Sequence, residues 1–179
     1  MKDTYTLHVA GLTRELPICP LNEHLNIAAF IMLGDAELSE ACAAELLKKV
    51  PEFDVILTAE AKGIPVAHEM SRQSGKPYLV ARKGKKLYMR DPVVVEDQSI
   101  TTAAKQTLVI DRPELESMNG KRLLIVDDVI STGGSLHALE ALAAQSSCEV
   151  VCCAAVLAEG DAAQRSDIVY LEPLPLIES

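Results

Sequence analysis

The stretch LLIVDDVISTGGS, residues 123–135, changes character three times along its length. Leu123-Leu124-Ile125-Val126 is a continuous apolar run, the pattern of a strand buried on both faces of a parallel sheet. Asp127 and Asp128 stand where that strand emerges, and Ser131-Thr132-Gly133-Gly134-Ser135 then leads into a helical pattern from about Ser135 to Gln145. Glycines let the backbone turn tightly and bring its N–H groups close to a ligand. A helix N-terminus adds unpaired N–H donors and the positive end of the helix dipole, which together suit a phosphate. The hydroxyls of Ser131, Thr132 and Ser135 can donate to the remaining phosphate oxygens. The two acids cannot serve that phosphate, because like charges repel; they suit the hydroxyls of a diol, or a cation held through water. The competing reading is a plain strand-to-helix turn capped by Thr132 or Ser135, which explains the glycines but not the whole string. The string lacks the Gly-Lys-Ser/Thr of a Walker loop and the GxGxxG of a dinucleotide site.

Outward from this stretch, strand and helix patterns alternate. Residues 4–10 alternate polar and apolar as a half-buried strand does, and Gly11 to Pro20 reads as an irregular cover carrying Pro17 and Pro20. Asn22 to Val50 has helical apolar spacing with a break at Gly34-Asp35, and Pro51 ends it. Asp54 to Thr58 (DVILT) is a β-branched buried strand, followed by a helical stretch to Ser74-Gly75 and a strand at 77–82 (PYLVAR). Residues 83–99 are charged and irregular, predicting a mobile surface loop with at most a short strand at Val93–Val95. Further strands are expected at 106–111, 122–126, 149–157 and 167–171, with a turn at Asn119-Gly120 and a proline-containing tail. The prediction is an α/β protein: one domain over 1–179, a mainly parallel twisted sheet with helices on both faces, a core over about 50–160, and a small N-terminal hood over about 1–22. Ligands of such sheets bind beyond the carboxyl ends of the strands, here after Thr58, Arg82 and Val126.

Composition narrows the function. The chain of 179 residues has 26 acids against 17 bases, a net charge of −9, which disfavours binding to a nucleic-acid backbone. Its five cysteines, Cys19, Cys42, Cys148, Cys152 and Cys153, form no CxxC pair and are expected to be buried and reduced. The four histidines are scattered, without the spacing of a ligand pair. No basic-then-apolar leader opens the sequence, and no apolar run approaches the roughly 20 residues that span a bilayer, so a soluble cytoplasmic protein is expected.

VDDVISTGGS resembles the signature by which type I phosphoribosyltransferases bind 5-phosphoribosyl-1-diphosphate (PRPP). The resemblance implies that Asp127 and Asp128 engage the ribose hydroxyls, directly or through Mg²⁺-bound water, and that Ser131, Thr132, Gly133, Gly134 and Ser135 wrap the 5-phosphate. Glu60-Ala61-Lys62-Gly63 resembles the E-A-R-G of adenine phosphoribosyltransferases and the E-A/S-S-G of xanthine phosphoribosyltransferases. In the family this turn carries a non-proline cis peptide and binds diphosphate through its backbone. Arg82-Lys83-Gly84-Lys85-Lys86 is similar to the VRKxGKLP segment of the adenine enzymes, which implies that Arg82, Lys83 and Lys86, with Lys85 beside them, neutralise the departing diphosphate. The same family is usually homodimeric and uses Mg²⁺ bound with PRPP.

For the base, the resemblances diverge. The stretch 98–109 (QSITTAAKQTLV) places Thr102 where the adenine enzymes have a Glu, and its Ser99-Ile100-Thr101 is closer to the S-F-T of xanthine enzymes. Pro20-Leu21-Asn22-Glu23-His24 resembles the F-L-N-H-Q of xanthine enzymes, which implies that Asn22, and with less support Leu16, contacts the base. Against this, the phosphate loop and the closing Leu171-Glu172-Pro173-Leu174-Pro175 are nearer the adenine enzymes, and the lysine of xanthine enzymes is missing from Val156-Leu157-Ala158-Glu159. The expectation is transfer of phosphoribose from PRPP to adenine or xanthine in purine salvage. Two rivals remain open: a non-catalytic PRPP sensor of the same fold, and a pyrimidine or orotate enzyme.

Overall fold

Five parallel strands form the centre of the computed structural model, which describes residues 4–97 and 106–178. In spatial order they are β10 (Val169–Leu174), β9 (Glu149–Glu159), β8 (Arg122–Ile130), β4 (Val55–Ala59) and β5 (Tyr78–Ala81). Alternation along β8 explains the apolar run. Leu123 and Ile125 face one core and Leu124 and Val126 the other, so every position of the run is buried. One core is covered by α1 (Ala36–Lys49) and α2 (Ile64–Ser74); the other is covered by α3 (Arg112–Ser117), α4 (Gly134–Ala143) and the antiparallel pair β6 (Pro92–Asp97) and β7 (Gln106–Asp111).

The order has one reversal. From β4 the chain steps outward to β5, then returns to the other side of β4 for β8 and continues away through β9 and β10. At such a switch point the connections after the two central strands diverge to opposite faces and leave a crevice between them. The loops after β4 and β8 therefore frame the site. At the opposite end of the same two strands, Arg122 donates from its backbone N and Nε to Asp54 Oδ2 and from Nη2 to Asp54 Oδ1, fixing β8 against the start of β4.

The hood differs from the expectation. Gly11 to Pro20 is not irregular: Leu12–Pro20 is strand β2, paired with β1 (Thr4–Val9) through a turn in which Ala10 and Gly11 both have positive φ. Its prolines are tolerated because Pro17 faces Thr4 at the end of that ladder and Pro20 is the last residue of the strand. The helix expected from Asn22 begins only at Ala36. Leu25–Ala28 forms strand β3 because it has partners on both sides, β2 and the tail strand β11 (Leu176–Glu178). The hood is thus a four-stranded sheet extending past residue 22 and closed by the tail. The loop expected over 83–99 contains the full strand β6, which earns its order by packing against β7 and α4. Residues 98–105, which include Ser99-Ile100-Thr101 and Thr102, lie outside the described residues. All five cysteines are free, with Cys42 and Cys153 buried and the other three half-buried rather than fully enclosed. No described helix is long and apolar enough to cross a membrane.

Hood and core are joined at the start of α1. Asp35 caps that helix by accepting from Leu38 N at 3.0 Å, while Arg14 of β2 donates from Nε to Asp35 Oδ2 at 2.7 Å. The Arg14 guanidinium holds the Asp35 carboxyl below its usual range. Asp35→Ala removes cap and ion pair together and should cost about 1–2 kcal/mol, read as a lowered urea midpoint. Asp35→Asn keeps an acceptor for Leu38 N and should lose less.

Candidate active site

Strand β8 runs past the acids to Ile130, so Asp127 and Asp128 are strand residues and not loop residues. Asp128 is buried at 3% exposure, and its Oδ2 has no hydrogen-bond partner among the described residues. Lys62 Nζ stands 3.4 Å from that oxygen, close enough for attraction but not aligned as a hydrogen bond. Asp127 Oδ1 accepts from the Asp128 backbone N at 2.8 Å. Burial, followed by the like charge of Asp128, raises the Asp127 carboxyl well above the usual carboxylate range. In its protonated form Asp127 adds a donor to the acceptors of the two side chains, which suits a vicinal diol.

Beyond Ile130, Gly133 takes a left-handed conformation (φ +85°) and no side chain caps α4. The torsion favours glycine there, since the one atom near a Cβ at Gly133 is Arg165 Nη1 at 3.0 Å, the end of a side chain that can move aside. Ser131 to Leu136 line a pocket of about 120 Å³. Asp127, Val129, Ser131 and Ser135 line both this pocket and a cleft of about 900 Å³, so the two are continuous.

The facing wall is the turn after β4. The Glu60–Ala61 peptide bond is cis. Ala61 and Lys62 are exposed to the cleft, while Gly63 is buried against β8. A Cβ on Gly63 would meet Thr58 Oγ1 at 2.6 Å and Asp127 Oδ1 at 2.9 Å, so only glycine lets the turn approach the acids this closely. Glu60 turns toward the basic run instead. Its carboxylate accepts from Lys83 N at 2.9 Å and lies 3.4 Å from both Arg82 Nη2 and Lys86 Nζ. The Lys83 N–H bond first, then the neighbouring cations, keep the Glu60 carboxyl low and ionised. Arg82 is anchored by backbone bonds to Val109 at both its N and O. Lys85 is exposed.

Of the residues expected at the site, Glu60, Ala61, Lys62, Lys83, Asp127, Asp128, Ser131 and Ser135 line the cleft, and Thr132, Gly133 and Gly134 complete the small pocket. Arg82 and Lys86 stand behind Glu60. Asn22 and Leu16 are not brought to the cleft. Asn22 Oδ1 accepts from His24 N and Leu25 N, shaping the β2–β3 turn, and Leu16 is buried in the hood core. In their place Ile27–Ile31, Leu174 and Glu159 line the cleft. Glu159 was legible in principle, since it is an acid at the carboxyl end of an apolar strand, the same cue that marked Asp127. The Ile27–Ile31 wall depends on β3, which the helical spacing concealed.

A family model describing a phosphoribosyl transferase domain matches residues 32–173. The chain belongs to this family. Among curated proteins, this phosphoribosyl transferase domain is 33% identical to the hypoxanthine/guanine phosphoribosyltransferase of Methanococcus voltae over 136 residues, 75% of this chain and 69% of that protein. It is 38% identical to the hypoxanthine/guanine phosphoribosyltransferase of Methanosarcina mazei over 124 residues, 69% of this chain and 62% of that protein. The matched segments thus span about two thirds of those relatives. Among solved structures, the fold is similar to an adenine phosphoribosyltransferase from Thermoanaerobacter pseudethanolicus, with TM-score 0.66, 23% identity, and coverage of 79% of this chain and 84% of that one. It is also similar to the adenine phosphoribosyltransferase of Leishmania tarentolae, with TM-score 0.65, 19% identity, and coverage of 97% and 83%.

The raised Asp127 carboxyl has a consequence for stability. A carboxyl whose folded-state pKa lies above its unfolded value contributes most at low pH, and that contribution is lost as pH rises through the folded value. Asp127→Asn keeps the Oδ1 acceptor and cannot ionise. With divalent cations chelated, it should match the parent near pH 4 and exceed it by about 1–3 kcal/mol at pH 8–9 in urea unfolding. A difference independent of pH would contradict the assignment. Gly63→Ala should cost about 1–3 kcal/mol through overpacking against Thr58 and Asp127, read by the same unfolding measurement.

Proposed function

We propose that the protein transfers the 5-phosphoribosyl group of PRPP to a purine base with release of diphosphate. One observation carries this reading: a phosphate-sized pocket at Ser131–Leu136 and a cation-backed turn at Glu60–Lys62 open onto one cleft, with Asp127 and Asp128 between them. Their order along the cleft matches the order of 5-phosphate, ribose diol and diphosphate in PRPP. The hypoxanthine/guanine phosphoribosyltransferases among the relatives, and the adenine enzymes among the fold neighbours, support a purine as the acceptor.

The chemistry asked of the protein is positioning and charge stabilisation. Backbone N–H groups and hydroxyls of residues 131–135 hold the 5-phosphate. Asp127 and Asp128 hold the ribose hydroxyls. As the anomeric bond breaks, Lys62 and Lys83 face the growing negative charge, and Arg82 and Lys86 shift from Glu60 toward it. Among the described residues no group of three or more His, Cys, Asp or Glu is placed to hold a metal directly. The unpartnered buried Oδ2 of Asp128 nonetheless fits a hydrated cation arriving with PRPP, so Asp127 and Asp128 would hold Mg²⁺ through water. When bound, Mg²⁺ would supply positive charge that offsets the negative charge of the substrate. A second copy of the chain is the expected partner, and the cytoplasm the expected location.

Diphosphate release measured with PRPP and adenine, hypoxanthine, guanine, xanthine or orotate tests the reading. Turnover with at least one purine and none with orotate is expected. Calorimetric binding of PRPP without turnover on any base would show a sensor instead. Asp128→Asn and Lys86→Ala should each lower turnover by about 100-fold or more without lowering the unfolding midpoint. Full activity in both variants would remove the assigned roles.

A further inference from the structure

The cleft has a polarity that identifies its base end. Across the sheet from β5 to β10, its walls pass from the cations after β5 to the β4 turn, the acids of β8, Glu159 at the end of β9, and Leu174 at the end of β10. A nitrogen entering at the anomeric carbon approaches from the side opposite the departing diphosphate. With diphosphate at the β4–β5 end, the base occupies the β9–β10 end, beneath Ile27–Ile31 of the hood.

That end is apolar with one exception. Ile27, Ala29 and Ile31 are the part-exposed residues of the hood wall, Ala28, Phe30 and Leu174 being buried in the core behind it, and Glu159 is the one charged residue lining this end among the described residues. Glu159 pairs in register with Leu174 of β10, and its neighbour Ala158 pairs with Ile130, so the strand ladder fixes its backbone immediately beside the phosphate loop. Its carboxylate is half-buried and accepts no hydrogen bond from a described residue. Burial raises its pKa, with Lys62 the cation opposing that rise. A half-buried carboxylate at the cleft wall that accepts from no side chain keeps its acceptors open to a ligand.

We propose that Glu159 is the specificity-determining residue for the base, accepting hydrogen bonds from the N–H donors of an amino-bearing purine and disfavouring hypoxanthine. The inference rests on the purine transferase reading above. An ionised carboxylate only accepts. Adenine offers it a 6-amino group, and guanine offers N1–H and a 2-amino group together. Hypoxanthine has a single N1–H and no amino group, so it leaves one carboxylate oxygen without a donor. Sites built around a polar partner reject analogues lacking it far more strongly than apolar pockets do.

Calorimetric titration of the parent, Glu159→Gln and Glu159→Asp with AMP, GMP and IMP, alongside turnover with the three free bases, tests the proposal. The parent should bind AMP or GMP at least about 10-fold more tightly than IMP, the scale of one charge-assisted hydrogen bond. Whichever of AMP and GMP leads identifies the purine edge that meets Glu159. Glu159→Gln should bring the three nucleotides within about threefold of one another, with KM for PRPP unchanged, and Glu159→Asp should restore the preference. The proposal is overturned if the preference survives in Glu159→Gln, if the parent binds IMP as tightly as AMP and GMP, or if the variant loses all three equally. A nucleotide preference without turnover on any base would leave the selectivity of Glu159 standing and defeat the transferase reading.

Discussion

Two carboxylates adjacent in one strand, one of them almost completely buried, repel each other in a medium that screens charge poorly. Much of the site can be understood as the surroundings that make this tolerable. The chain places Lys62 within reach of Asp128, and burial beside Asp128 raises the Asp127 carboxyl well above the usual carboxylate range. Lys62 reaches that position because Gly63 packs against Thr58 and Asp127 where a larger residue would not fit. The approach of β4 to β8 that makes this contact is in turn fixed by the sheet reversal and by the Arg122–Asp54 interaction at the far end of the same strands.

Legibility in the sequence followed the range of the interactions. The apolar run of β8, its acids and the glycine loop are local in sequence, and strand, turn and helix follow in the order the residue pattern predicts, although the strand runs four residues further, to Ile130. Glu60–Gly63 and Arg82–Lys86 were legible as segments, but not the bond between them, because the role of Glu60 as acceptor for Lys83 N requires two strand ends to be brought side by side. The hood escapes local pattern for the same reason. Leu25–Ala28 has no strand alternation strong enough to betray it, and it becomes a strand only because β2 and β11 flank it. Asn22, chosen by resemblance, is held by the turn that this unforeseen strand creates.

The charge distribution also reconciles an acidic protein with a polyanionic substrate. A net charge of −9 repels phosphates at a distance, yet the cations that matter are concentrated in one run after β5. Under the proposed reading that arrangement would favour a small anion over a nucleic-acid backbone, since an extended polyanion meets the whole acidic surface and a single diphosphate meets only the run.

Glu60 sits among the cations and Lys62 among the acids, so the site contains a stand-in for each charge its proposed substrate would bring. Loading it is an exchange of internal partners more than a recruitment of bare charges from solution. Few small ions need be expelled, and the affinity for PRPP would therefore weaken only gently as ionic strength rises, unlike that of an exposed basic patch.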